Sequence, residues 1–273
     1  MTVSLADSSY VRRLLREQSS IALGEDKEYL IEARLAPLVR REGLGSVTAL
    51  IDMLRTGETE LRDEVIGALT TNETWFFRDG HPFDSLRQHV IPAVLAANDN
   101  RSLSMWSAAA STGQEAYSLA LLVLEHFPEV PRLTIVGTDL SDAVLARARS
   151  GRFTQFEVNR GLPVQLLVKY FTREGLQWRL IDRVRAMVTF QQLNLANALP
   201  PMPPMDIVLL RNVLIYFEPL TREVVLDRIR HVLRPGGYLF LGSTETTYGL
   251  GSTFERVQFG KTTCYRLADG REQ

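Results

Sequence analysis

The feature that most constrains the fold is a change in the hydrophobic pattern near residue 71. Beyond it, short apolar runs alternate with longer amphipathic stretches, which is typical of a parallel sheet flanked by helices. A proline-glycine turn is predicted over 233–237, before the last strand of the series, and the alternation over 254–267 predicts an edge strand pair. The five predicted parallel strands are 103–106, 133–138, 188–193, 207–210 and 238–242, and the predicted helices are 115–126, 142–149 and 221–232.

The first 71 residues have a different pattern, because their apolar residues recur at helical spacing. They predict a small bundle of short helices, with breaks at glycine-containing turns. Pro37 is expected to end or kink the second helix, since proline lacks the N–H group and clashes with the preceding turn. Residues 151–185, rich in aromatic and basic side chains, interrupt the α/β alternation and predict an insertion that carries a subdomain. The sequence therefore predicts two domains.

Composition excludes several classes of protein. The chain has 273 residues with 31 Lys+Arg against 32 Asp+Glu, so its formal charge of -1 favours neither a nucleic acid nor an anionic membrane as partner. A single cysteine, Cys264, excludes a disulfide framework and agrees with a reducing cytoplasm. No signal peptide and no apolar run long enough to span a membrane are recognised. No metal site is expected, because the four histidines are scattered: His81, His89, His126 and His231.

The turn after the first predicted strand points to a nucleoside site. Residues 106–113 read W-S-A-A-A-S-T-G, and small side chains let a ligand approach the backbone at a helix N-terminus. Asp139 ends the next strand, where a carboxylate can accept hydrogen bonds from ribose hydroxyls. Because only Gly113 is present, the turn matches neither a dinucleotide fingerprint nor a phosphate loop. A nucleoside cofactor without a diphosphate, such as S-adenosylmethionine, fits this pattern. Tight helix–strand packing, with Asp139 as a helix cap, is the alternative.

Three segments resemble the CheR family of chemotaxis receptor methyltransferases: T-T-N-E-T-W-F-F-R at 70–78, W-S-A-A-A-S-T-G at 106–113 and R-N-V-L-I-Y-F at 211–217. The resemblance implies an α/β fold, with a Rossmann-like S-adenosylmethionine methyltransferase domain over 91–273 and an inserted β-subdomain over 151–185. It also implies an N-terminal helical domain over 1–71 and a linker over 72–90 that contributes to the cofactor site. The implied activity is the methylation of glutamate side chains on chemoreceptors, in sensory adaptation, giving methyl esters and S-adenosylhomocysteine.

The resemblance also implies roles for individual residues. Arg78 and Tyr216 would be catalytic, beside the departing methyl group, and a basic N-terminal helix would meet the receptor's methylation helices. Pro37 departs from the family pattern in that helix. The implied receptor-binding residues are Lys27, Arg34, Arg40 and Arg41, and the implied cofactor-binding residues are Asn72, Thr74, Arg78, Ala108, Gly113, Glu115, Asp139, Asn194, Leu195, Arg211 and Asn212.

Some relatives bind a pentapeptide at the receptor's C-terminal tail through a longer glycine-containing loop than residues 171–178 provide. The chain is therefore expected to work without that tether, as a cytoplasmic monomer.

Several interpretations remain open at this stage. Arg78 would orient the acceptor carboxylate, or instead form a surface ion pair with Asp79 or Glu73. Tyr216 would contact the cofactor's sulfonium side, or instead pack in the core. The basic residues could simply form a solvated helix face. The alternative functions are a methyltransferase for a small molecule or RNA and a catalytically silent adaptor that binds the cofactor.

Overall fold

A computed structural model describes residues 3–24, 27–57, 59–98, 101–247 and 253–268. The N-terminal part is a bundle of short helices whose apolar faces meet in one core, built around Ile31, Leu35 and Leu50. Serine side chains cap two of the helices: Ser4 accepts the Asp7 N–H at 3.1 Å and Ser46 accepts the Ala49 N–H at 3.1 Å. The helices are α1 (Leu5–Ser19), α2 (Glu28–Arg41), α3 (Val47–Arg55) and α4 (Thr59–Leu69).

Helix α2 continues through Pro37, so of the two expected effects of this residue, an end or a kink of the helix, the end is wrong. Ile31, Leu35 and Val39 follow one another at intervals of four residues, and all three are buried in the bundle core. Pro37 and Ala33 lie on the exposed face of the helix. Pro37 has no N–H group to donate to the Ala33 carbonyl, four residues earlier. Because both residues are exposed, water can reach that carbonyl instead. Burial of the opposite face then holds the helix together.

The segment predicted as a linker, 72–90, is helical in its second half. Helix α5 (His81–Ser85) passes through one π-helical turn (Leu86–Val90) into α6 (Ile91–Ala97). Phe83, Leu86 and Val90 are buried in the core beneath the central sheet. The helices belong to the α/β part of the molecule because their apolar side chains are buried there.

The central sheet has seven strands among the described residues, in the order β6-β2-β1-β7-β8-β10-β9. Its first five strands are parallel, and β10 runs antiparallel to both β8 and β9. This confirms the predicted Rossmann-like α/β fold class. The strands are β1 (Leu103–Ala108), β2 (Leu133–Asp139), β3 (Arg152–Thr154), β4 (Phe171–Glu174), β5 (Gln177–Leu180), β6 (Val188–Gln192), β7 (Met205–Leu210), β8 (Leu233–Leu241), β9 (Phe254–Phe259) and β10 (Thr262–Leu267), and the remaining helices are α7 (Gln114–His126), α8 (Asp142–Ser150), α9 (Gln155–Asn159), α10 (Val164–Tyr170), α11 (Asp182–Arg185) and α12 (Pro219–Val232).

The turn predicted over 233–237 lies inside β8 as an irregularity, not before it. Leu233 already pairs with Met205, and regular pairing resumes where Tyr238 meets Ile207. Four residues of β8 thus face a single residue of β7, which is a bulge. A Cβ at Gly237 would lie 2.8 Å from the Arg234 carbonyl oxygen, so the bulge requires glycine there.

The insertion forms a separate three-stranded antiparallel sheet in the order β3-β5-β4. Its aromatic core is shared with the segment that follows the helical bundle, because Phe76 packs edge-on against Phe153 at 5.0 Å and against Phe171 at 5.7 Å. The predicted β-subdomain is therefore present, and it packs against Phe76. None of the described helices is long and apolar enough to cross a membrane.

Candidate functional site

The turn between β1 and α7 has an unusual backbone. Ala109, Ser111 and Gly113 have φ angles of 69°, 51° and 93°. The first two are not glycine, so the turn is strained and must be held by its surroundings. The Ala110 N–H donates to the Thr138 carbonyl at 2.7 Å, and the Ser111 hydroxyl donates to the Asn72 carbonyl at 2.8 Å. The turn is thus tied both to β2 and to the segment after α4.

Asp139, at the end of β2, also holds this turn. Its two carboxylate oxygens accept the N–H groups of Ser111 at 2.9 Å and Ser141 at 3.0 Å. Burial raises the pKa of Asp139, against the opposing effect of the N–H groups of Ser141, Ser111 and Leu140. The residue was predicted as a ribose ligand, and its additional role in fixing the strained turn was not predicted.

A network of charged side chains, with Glu115 and Arg211 buried and Asp79 partly exposed, crosses the floor of the site. Glu115, in the first turn of α7, accepts the Ser107 hydroxyl at 2.8 Å and Arg211 Nη1 at 3.0 Å. Arg211 Nη2 donates to the Asp79 carboxylate at 2.6 Å and to the Arg78 carbonyl at 3.1 Å. Burial raises the pKa of Glu115, and the charge of Arg211 is the largest opposing effect. The network joins β1, α7, the residue that follows β7 and the segment around residue 78.

Arg78 does not form the surface ion pair that was its alternative role. Its Nη1 donates to the Glu73 main-chain carbonyl at 3.0 Å, and its guanidinium lies over the Trp75 ring, 4.2 Å from the centroid. Asp79 pairs with Arg211 instead. The Nε atom of Arg78 is buried with no hydrogen-bond partner among the described residues. The Nη2 atom also donates no hydrogen bond to the described residues and is not buried, so Arg78 retains a donor for a ligand.

The loop after β7 is organised by an acidic residue that the sequence analysis missed. Glu245 accepts three backbone N–H groups, from Asn212 at 2.7 Å, from Gly242 at 2.7 Å and from Ile215 at 3.2 Å. Asn212 has a φ of 58°, and its Oδ1 atom is buried with no partner in the described part of the chain. Glu245 has no distinctive sequence context. Because Glu245 lies 33 residues after Asn212 in the chain, its contact with the loop is visible only in the folded structure.

The end of α1 reaches the same site, which was also not predicted. Asn194 Nδ2 donates to the Gln18 carbonyl at 2.7 Å, and the Ala22 N–H donates to the Tyr216 carbonyl at 3.0 Å. Ser19 and Ile21 form part of the wall beside these contacts. The helical bundle and the central sheet therefore enclose the site together.

These elements surround a cavity at the carboxyl ends of the parallel strands. Its volume is about 840 Å³, including the open mouth. Residues from the helical bundle, from 70–78 and from the sheet all contribute to its wall. The predicted site residues that line it are Asn72, Thr74, Arg78, Glu115, Asp139, Asn194, Leu195, Arg211, Asn212 and Tyr216.

Two predicted cofactor residues do not line the cavity. Ala108 is fully buried in the core on one side of the sheet. A Cβ on Gly113 would lie 3.0 Å from the Ala148 Cβ and 3.1 Å from the Phe190 ring. Gly113 is therefore small because helix α7 packs closely against α8 and β6, which is the alternative that the sequence left open.

The four predicted receptor-binding residues differ in what they contact. Arg34 donates to the Leu69 carbonyl and, at 2.9 Å, to the Thr71 hydroxyl. Arg41 pairs with Glu42 and Glu64 on the bundle surface. Lys27 and Arg40 are exposed, with no side-chain partner among the described residues. Of the four predicted residues, Lys27 and Arg40 therefore have side chains that are available to a partner.

Comparison with known proteins agrees with this arrangement. The family model described as "CheR methyltransferase, all-alpha domain" matches residues 6–70, and "CheR methyltransferase, SAM binding domain" matches residues 72–263. The chain is 37% identical over 273 residues to "Chemotaxis protein methyltransferase 1" of Pseudomonas aeruginosa, covering 97% of this chain and 99% of that protein. It is also 37% identical over 265 residues to "Chemotaxis protein methyltransferase Cher2" of Pseudomonas putida, covering 94% and 96%.

The solved structures that match include one titled "DhpI-SAH complex structure", with a TM-score of 0.36 and 16% identity, covering 71% of this chain and 68% of that one. This similarity is too low to bear on function. The two family models together span nearly the whole chain, and the polar groups of the cavity fit an adenosyl ligand. The chain therefore belongs to the CheR family of chemotaxis methyltransferases, and its cofactor is S-adenosylmethionine.

Proposed function

We propose that this enzyme transfers the methyl group of S-adenosylmethionine to glutamate side chains of chemoreceptors, forming glutamate methyl esters for sensory adaptation. The observation that carries the proposal is the guanidinium of Arg78, which lines the cavity and whose Nη2 atom donates no hydrogen bond to the described residues. A guanidinium keeps its charge when it is desolvated, and it binds carboxylates in a fixed geometry. The acceptor glutamate would satisfy this donor.

The cavity residues suit the cofactor as well as the acceptor. Asp139 would accept the ribose hydroxyls, because a carboxylate oxygen that accepts a backbone N–H group can accept a further hydrogen bond. The side chain of Asn212, which lines the cavity, would contact the cofactor. Glu115 and Arg211 would hold its charged amino-acid end.

The chemistry requires little beyond positioning. S-adenosylmethionine supplies a methyl group on a cationic sulfur. A glutamate side chain has an ordinary pKa near 4.3, so it is already a nucleophilic carboxylate at neutral pH, and no general base is needed. The carboxylate oxygen forms the new C–O bond while the C–S bond breaks, with its electron pair left on sulfur. Arg78 and the walls of the cavity orient the carboxylate and exclude water.

Receptor binding would use the exposed cations near the two ends of α2. Lys27 and Arg40 would attract glutamate-rich methylation helices, with a strength that falls as salt rises. We also propose that no receptor-tail tether is required, since the β4–β5 hairpin turns through Gly175 and Leu176 alone. Micromolar binding of a receptor-tail pentapeptide would contradict that part. We further propose that the enzyme acts as a cytoplasmic monomer.

The test is incubation of the enzyme with labelled S-adenosylmethionine and a receptor cytoplasmic fragment. We expect label in a base-labile ester, and its loss in Arg78→Ala with cofactor affinity kept. Arg78→Lys is the matched variant, because it retains the charge without the planar fork. Cofactor binding without any transfer, or transfer to RNA or a small molecule only, would reject the proposal.

A further inference from the structure

Arg160, in the inserted β-subdomain, brings a second guanidinium next to the Arg78 side of the cavity. Its Nη2 donates to the Glu73 carboxylate at 2.8 Å, and its Cζ lies 3.9 Å from the centroid of the Trp75 ring. We propose that Arg160 is a positioning residue for the receptor: it exchanges the Glu73 carboxylate for a carboxylate of the acidic methylation helix. This inference rests on the proposed function, because it requires a glutamate-rich protein acceptor.

The position of Arg160 is set by the backbone that follows it. Gly161 has a φ of 84°, and a Cβ there would lie 2.0 Å from the Phe76 carbonyl oxygen and 3.0 Å from Trp75 Cδ1. Only glycine allows this approach. The subdomain is therefore pressed directly against residues 75–76, and Arg160 is held beside the Trp75 ring.

Arg160 and Arg78 share the same neighbours. Both guanidinium groups lie over the ring of Trp75, at 3.9 and 4.2 Å from its centroid. Both also bond to Glu73, Arg160 to its carboxylate and Arg78 to its main-chain carbonyl. Glu73 lines the cofactor cavity. A carboxylate that replaced the Glu73 side chain on Arg160 would thus lie beside the residue proposed to orient the acceptor.

The exchange is physically easy because the resident ion pair is exposed. The side chains of Arg160 and Glu73 are 38% and 57% exposed, and ion pairs of this kind contribute little to stability. A receptor carboxylate can therefore compete with Glu73 for the guanidinium. In the free enzyme, the negative charge of Glu73 lies where an acidic acceptor segment must approach. Glu73 and Arg160 should then affect receptor binding in opposite directions.

Four variants test this with the full-length enzyme and a receptor cytoplasmic fragment. We expect Arg160→Ala to raise the receptor KM about three- to tenfold at low salt, with kcat within about twofold and cofactor affinity unchanged. Arg160→Lys should lie between Arg160→Ala and the wild type. Glu73→Gln should lower the receptor KM. The matched control is Arg152→Ala, which removes another exposed ion pair of the same subdomain, with Glu174, and should keep the wild-type KM.

An unchanged KM in Arg160→Ala would overturn the inference. So would a parallel loss of kcat, cofactor affinity and melting temperature, because that pattern indicates a purely structural role. If Arg160→Ala does not fold, Arg160→Lys and Glu73→Gln still test the inference, because the first should raise the receptor KM and the second should lower it. A change of KM in the same direction for both variants would overturn the inference. Failure of the wild-type enzyme to form any base-labile ester would reject the proposed function instead.

Discussion

The guanidinium of Arg211 and the carboxylate of Glu115 form a buried ion pair, with Nη1 3.0 Å from Oε2, although the two residues are 96 positions apart in the chain. The Arg211 side chain is 1% exposed, and its other terminal nitrogen pairs with Asp79. A buried pair of this kind is costly to break, because the remaining charge is left without compensation. We therefore expect the loss of either partner to destabilise the floor of the cavity, which both residues line.

Glu115→Gln should lower the free energy of unfolding by about 3 kcal/mol, because Arg211 then keeps only one carboxylate partner. Denaturant unfolding of the cofactor-free protein measures this change. The control is Glu157→Gln, since Glu157 pairs with Arg147 in an exposed ion pair and should cost less than about 1 kcal/mol. Equal costs in the two variants would show that the Glu115 pair adds no stability.

Cofactor affinity should depend on pH through Asp139. Burial raises its pKa, so the folded protein takes up this proton at a higher pH than an exposed aspartate would. If the ionised form binds the ribose, affinity falls as the pH drops through the raised pKa and is constant above it. Calorimetry from about pH 5 to about pH 8 measures this, and Asp139→Asn should bind at least about tenfold more weakly with a flatter profile.

The stability of the cofactor-free protein should respond to Asp139 with the opposite sign. Because the pKa of Asp139 is higher in the folded than in the unfolded protein, protonation of Asp139 favours the folded state. The contribution of Asp139 to the free energy of unfolding is therefore fully present below the unfolded-state pKa, and it is lost as the pH rises through the folded-state pKa. Urea unfolding of the wild type and Asp139→Asn over the same pH range provides the check. A steeper loss of stability in Asp139→Asn as pH rises would contradict the assignment.

Gly161→Ala and Gly175→Ala form a matched pair of substitutions. Both glycines have positive φ, 84° and 61°, but only at Gly161 does a Cβ meet another group, the Phe76 carbonyl oxygen at 2.0 Å. We expect Gly175→Ala to cost about 1 to 2 kcal/mol of stability from backbone strain alone. Gly161→Ala should cost about 2 kcal/mol more and should reduce methyl transfer. Similar melting temperatures for the two variants would contradict the close contact.

Glu245→Ala should weaken cofactor binding without removing any residue that lines the cofactor cavity. The carboxylate accepts the N–H groups of Asn212, Ile215 and Gly242, so its loss leaves three donors without their acceptor. We expect a loss of about 3 kcal/mol in stability and faster hydrogen exchange over 211–217. Glu245→Gln keeps one carbonyl oxygen and should recover part of both. Unchanged exchange over 211–217 would show that Glu245 does not hold the loop.

The basic residues of α2 should separate into two classes. Arg40→Glu should slow receptor methylation at low salt and approach the wild-type rate at high salt, because Arg40 is exposed. Arg34→Ala should instead lower stability by about 1 to 2 kcal/mol, since its guanidinium caps the end of α4 at Leu69 and Thr71. Methylation rates and thermal melts at two salt concentrations measure both. A salt-dependent rate effect for Arg34→Ala alone would reverse this assignment.

The local patterns of the chain were sufficient to predict its architecture. The alternation of apolar runs predicted the parallel strands, and the small residues before Gly113 predicted the turn at the cavity, because backbone geometry is set by neighbouring residues. Asp139 could be recognised as a site residue by its place at the end of β2. The cavity lining includes most of the residues predicted for it. These signals all lie within one strand–turn–helix unit or at its edge.

Only the tertiary structure decided which distant groups meet. Pro37 is accommodated in α2 because it lies on the exposed face, and Gly113 serves packing because α8 and β6 lie against it. Glu245 and Ser19 come to the site from segments far from the motifs, and nothing in their local sequence indicates this. Contacts of this kind depend on how separately formed elements pack together. A hydrophobic pattern specifies which face of an element is buried, but the partner of each buried charge is set by the packing of the whole chain.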